Sequence, residues 1–82
     1  MSNITVKICF QPNMRTLSEL LEILRNICGN VWVSKVGCER NVIPSIFGLY
    51  SLDLHRFDSI CITTDNDGMN LQNIKRQIQM IS

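Results

Sequence analysis

Ile43-Pro44-Ser45-Ile46-Phe47-Gly48-Leu49-Tyr50-Ser51-Leu52 decides how this chain divides, because it is too short and too apolar for an ordinary surface loop. Pro44 has no N–H and pushes Ile43 toward extended geometry, so a preceding strand must stop there. Ser45 then fits the N-cap of a short helix, its hydroxyl accepting from a free backbone N–H. Leu49 and Leu52 are three apart and share an inward face. Ile46, Phe47 and Tyr50 cannot all point the same way, so large apolar surface is expected to face water. A hydroxyl at a helix start rimmed by apolar side chains is a candidate phosphorylation and docking site. The competing reading is a capping serine on a core helix.

To the N-terminal side, Ile4 to Phe10 alternates, with Ile4, Val6, Ile8 and Phe10 on one face, which predicts a half-buried strand. Gln11-Pro12-Asn13 reads as a turn. Thr16-Leu17-Ser18-Glu19 has the spacing of a capping box, placing Thr16 at the N-cap and Glu19 at N3. Leu17, Leu20, Leu21, Leu24, Ile27 and Cys28 follow as a helical stripe, with Gly29 at the left-handed closing position. Asn30 to Val36 reads as a second strand, Gly37 to Arg40 as a turn and Asn41 to Ile43 as a returning strand.

To the C-terminal side, Asp53 to Phe57 is a connector and Ser59 to Thr64 a strand with Ile60 and Ile62 inward. Asp65-Asn66-Asp67-Gly68 is a loop. As a calcium loop it would need ligands at Thr63 and Ile74, so that reading is rejected. Asn70 caps a last helix with the stripe Leu71, Ile74, Ile78 and Ile81. The order is βαββαβα, an α+β chain with an antiparallel sheet covered on one face by three helices. The outward residues Thr5, Lys7, Cys9, Trp32, Ser34, Ser59, Cys61 and Thr63 fit an open second face. Leu20, Leu24, Leu49, Ile60, Ile62, Ile74 and Ile78 are the expected core.

The 82 residues suit a single domain, 1–82, near the lower end of what a core supports without staples. A net charge of +1 with scattered charges gives no electrostatic argument for nucleic acid or an anionic membrane. No apolar run approaches the roughly twenty residues of a span, and no signal-peptide pattern opens the chain, so the expected location is the cytoplasm. Cys9, Cys28, Cys38 and Cys61 contain no C-x-x-C pair, which speaks against a zinc site and a disulfide framework. No metal or cofactor is expected.

Ser45-Ile46-Phe47-Gly48-Leu49-Tyr50-Ser51-Leu52, together with this element order, resembles the phosphocarrier HPr family of the bacterial sugar phosphotransferase system (PTS). The run is especially similar to the regulatory-serine segment of the catabolite-repression HPr paralogue of Gram-positive bacteria. The resemblance implies the HPr-like open-faced β-sandwich. It also implies regulatory phosphorylation at Ser45 by an HPr kinase/phosphorylase-like enzyme. A transcriptional regulator or PTS proteins would dock through Ile46, Phe47 and Tyr50.

The chain departs from the family at the carrier segment. There the family has a histidine followed by threonine, arginine and proline, whereas this chain has Arg15-Thr16-Leu17-Ser18, matching only at Thr16. An imidazole accepts and transfers phosphate near neutral pH, whereas a guanidinium stays protonated and is no nucleophile. Arg15, Thr16 and Leu17 therefore form a degenerate phosphocarrier position. His55, the only histidine, lies in the connector and does not match the carrier. A second departure is Pro44, where the family usually has a basic residue before the serine. The implied function is a non-enzymatic PTS regulatory module; the alternative is a divergent HPr domain that binds a protein partner without being phosphorylated.

Overall fold

A computed structural model of the chain describes residues 1–38, 40–68 and 70–81. The strands are β1 (Ser2–Lys7), β2 (Val31–Lys35), β3 (Asn41–Val42) and β4 (Ser59–Thr64). The helices are α1 (Met14–Arg25), α2 (Ile46–Ser51) and α3 (Leu71–Gln79), giving the order βαββαβα. The strands form one antiparallel sheet in the order β1-β4-β2-β3, so the chain's first and last strands are neighbours.

Register assigns the two faces of the sheet. Ile4, Ile62 and Val33 lie in one row and Val6 and Ile60 in another, all on the helix side. These residues share a single core with Leu17, Leu20, Leu21 and Leu24 of α1, Leu49 of α2, and Ile74 and Ile78 of α3. All seven expected core residues are buried. The opposite rows, Thr5–Cys61–Ser34 and Asn3–Thr63–Trp32, have no helix over them and are polar apart from Trp32 and Cys61. The antiparallel sheet thus has one dry and one wet face.

Several boundaries differ from the sequence reading. β1 ends at Lys7 because its register partner Ser59 is the first residue of β4. Ile8 still exchanges main-chain bonds with the connector, donating to the Asp58 carbonyl (2.9 Å) and accepting from the Phe57 N–H (2.8 Å). Cys9 consequently lies beyond the sheet face rather than on it, and is exposed. Helix α1 stops at Arg25, so Ile27 is buried in the following turn and Cys28 is exposed instead of joining the stripe. Gly29 is left-handed (φ 97°), but it closes that turn rather than the helix. A Cβ there would come within 2.6 Å of the Asp65 carboxylate, which binds the Asn30 main-chain and side-chain N–H groups at 2.9 Å each. The turn read over Gly37 to Arg40 includes Glu39, which lies outside the described residues.

The connector between α2 and β4 is pinned by Asp58. Its carboxylate accepts from the His55 main-chain N–H (2.8 Å) and pairs with Lys35 Nζ (3.3 Å). The main-chain bond first, and then Lys35, hold the Asp58 pKa below the ordinary aspartate value. A carboxylate with a depressed folded pKa stabilises fully above its unfolded value, and loses that contribution as pH falls through the folded one. Asp67, bonded to the Ser2 hydroxyl and the N-terminus, is lowered in the same sense. The thermal midpoint should therefore fall below the ordinary aspartate range, and Asp58→Asn should make that decline shallower without abolishing it. Melting curves at stepped acidic pH check this; equal slopes for the two proteins would refute it.

Candidate functional site

The site read from the sequence lies where the start of α1 meets α2. Asn13, not Thr16, caps α1: its side chain accepts from the Thr16 N–H (3.0 Å), and Thr16 Oγ1 accepts from the Asn13 N–H (2.9 Å). The capping box is real but begins three residues earlier than the T-x-x-E spacing suggested. Glu19, freed from that role, pairs with Arg15 one turn away, Nη1 to Oε1 at 3.3 Å. Arg15 is thus inside the first turn of α1, not in the approach to it.

Thr16 is 1% exposed and its hydroxyl donates to the Gln11 carbonyl (2.8 Å), so this residue fastens the entry turn to the helix. Thr16→Val should leave that carbonyl and the Asn13 N–H without side-chain partners, at a cost of about 1–3 kcal/mol. Thr16→Ser keeps the hydroxyl and should avoid most of that loss. Urea unfolding of both variants checks the difference, and a stable valine variant would count against this role.

Leu17 is 3% exposed and belongs to the core. With Pro12, Leu49, Tyr50 and Leu54 it lines a hollow of about 190 Å³ whose one charged wall among the described residues is Asp53. Asp53 holds a left-handed backbone (φ 51°), uncommon for a residue with a side chain.

Ser45 caps α2 as read, its hydroxyl accepting from the Gly48 N–H at 2.9 Å. Gly48 has no room for a side chain, because a Cβ would fall 2.7 Å from the Ile43 carbonyl and 3.0 Å from Ser45 Oγ. That close approach holds the Ile43–Ser45 segment against the helix. Ser51 lies at the other end, its hydroxyl donating to the Gly48 carbonyl (2.6 Å).

Of the three docking candidates, Phe47 (87% exposed) and Tyr50 (49%) face outward, whereas Ile46 is half-buried against the core. One apolar residue missed by sequence reading joins this surface region: Met14, 60% exposed, receives the Tyr50 hydroxyl at its sulfur (3.2 Å). Met14 could have been found only by starting α1 at Asn13, which places it on the first turn. His55 is exposed and lies 3.7 Å from the Asp58 carboxylate in the connector. The described residues contain no cluster of His, Cys, Asp and Glu suited to a metal, and no helix long and apolar enough to cross a membrane.

No family model matches the chain, and no curated protein does. The fold is similar to the crystal structure of HPr-C-His from Thermoanaerobacter tengcongensis, with a TM-score of 0.77 and 20% identity. The match covers 99% of this chain and 91% of that one. The fold is HPr-like: one open antiparallel sheet with three helices on its apolar face.

Proposed function

We propose that this chain is an HPr-like regulatory or binding protein of the bacterial sugar phosphotransferase system, not an enzyme, and not competent as a histidine phosphocarrier. The reading rests on the junction of α1 and α2, where an apolar surface (Met14, Phe47, Tyr50) stays open beside Ser45 while the carrier position is degenerate. Arg15 cannot accept phosphate. Leu17 is committed to the core and offers nothing to neutralise it. In this reading Ser45 is the regulatory phosphorylation site, and the open surface meets a transcriptional regulator or PTS protein in the cytoplasm. Catabolite repression is the process that the resemblance of the serine segment suggests.

The second reading, a divergent HPr domain that docks without phosphorylation, draws support from Pro44 and from the Ser45 hydroxyl, already engaged with Gly48. Intact-mass measurement separates the two. Phosphoenolpyruvate and Enzyme I should add no phosphate to the chain or to Arg15→His, because Leu17 and Ser18 also depart from the carrier pattern. ATP with an HPr kinase/phosphorylase should add one at Ser45 in the first reading and none in the second. A stable phosphate on His55 would overturn both.

A further inference from the structure

Away from the α1–α2 junction, β2 leaves part of one edge of the sheet unpaired. The Val36 N–H donates to the Ser59 carbonyl (2.9 Å) and the Asp65 N–H to the Asn30 carbonyl (3.3 Å). Those two bonds fix the alternation of β2: Asn30, Trp32, Ser34 and Val36 turn their main-chain groups toward β4. Val31, Val33 and Lys35 turn theirs the other way. Val33 faces Val42 of β3, and the Lys35 carbonyl accepts from the Cys38 N–H (2.9 Å). By the same register Val31 would face Pro44, which has no N–H, and β3 has already ended at Val42. Among the described residues no main-chain group bonds Val31 on that side. An unpaired strand edge of this kind is a template for another strand.

The free edge opens into a cleft of about 430 Å³, walled by Leu24, Ile27, Trp32 and the exposed Ile43. Arg25, in the last turn of α1, is the one charged residue lining it among the described residues. Arg25 has no hydrogen bond or ion pair with any described residue. We propose that this edge binds an extended segment of a protein partner by strand addition. The segment pairs with the Val31 N–H and carbonyl, places an apolar side chain in the cleft, and sets an aspartate or glutamate against Arg25. The strands at the two edges of the sheet, β1 (Ser-Asn-Ile-Thr-Val-Lys) and β3 (Asn-Val), carry no carboxylate, so the edge strand of a second copy does not offer the complement. The site stands whether or not Ser45 is phosphorylated.

A library of short synthetic peptides with both ends capped, screened against the full chain, tests the proposal. Retained peptides should combine an apolar residue with a neighbouring acidic one. The exposed Arg25→Glu variant should bind them about tenfold more weakly or worse. In amide hydrogen exchange, the Val31 N–H should exchange quickly in the free chain and be protected by bound peptide. No retained peptide, equal binding by Arg25→Glu, or a Val31 amide already protected in the free monomer would each overturn the proposal. Protection that rises with protein concentration alone would assign the edge to a second copy and overturn it equally.

Discussion

Ile62→Ala should lower the stability of the domain by about 2–5 kcal/mol, the usual range for emptying a fully packed aliphatic site. Ile62 is 0% exposed, and its register partners are Ile4 on β1 and Val33 on β2, so it occupies the middle of the sheet's dry face. The space vacated there is bounded by strands on both sides and helices above, and none can move in without breaking a ladder. Leu24→Ala, 1% exposed on α1, should cost a similar amount from the helix side. Small domains have only about 5–15 kcal/mol in all, so either change consumes a large share. Phe47→Ala is the control, since a side chain that is 87% exposed has little packing to lose. Chemical denaturation of the three variants checks the order. Unchanged midpoints for both core variants would mean that the dry face has been misassigned.

The sequence was most legible where a single periodicity met a single stop signal. β4 alternates from Ser59 to Thr64 with both isoleucines on one parity, and it forms over those residues. Ser45 begins α2 as read, whereas β3 ends at Val42, one residue short of the Ile43 end read from Pro44. The start of α1 was misplaced because two residues there can cap. Thr16 and Glu19 have the spacing of a box, but Asn13 forms the same reciprocal pair with Thr16 and keeps its own short side chain at the helix end. The choice depends on where the Gln11-Pro12 turn delivers the chain, and Thr16 reports that turn through its bond to the Gln11 carbonyl. Spacing alone does not contain that information. The exposure of Phe47 and Tyr50 was legible, but Met14 joins them only through the tertiary approach of α1 to α2. The burial of Leu17 was readable from its helical stripe, although its consequence for the carrier position came only from the resemblance. The open edge at Val31 needed the sheet order, since it depends on which neighbour β2 has on each side.

If Ser45 is the regulatory site, an HPr kinase/phosphorylase should modify Ser45 and no other hydroxyl, and Ser45→Ala should abolish the reaction. Ser51 is on the same six-residue helix and is exposed, so accessibility does not separate the two. Their electrostatic settings do. Ser45 precedes the first turn and faces main-chain N–H groups, with the Gly48 N–H already on its oxygen. Ser51 donates to a main-chain carbonyl, so a phosphate there would set its charge against the negative end of the helix. Phosphorylation at Ser45 replaces a neutral cap by a dianionic one while leaving Gly48 packed against Ile43, so α2 should survive it. Losing the cap in Ser45→Ala should cost about 1 kcal/mol, well short of unfolding. Phe47→Ala should be modified normally yet weaken binding of the partner, separating the docking surface from the phosphate. Peptide mapping after the kinase reaction decides the matter: phosphate on Ser51 would overturn the electrostatic argument, and no phosphate at all would leave the unphosphorylated docking domain as the better reading.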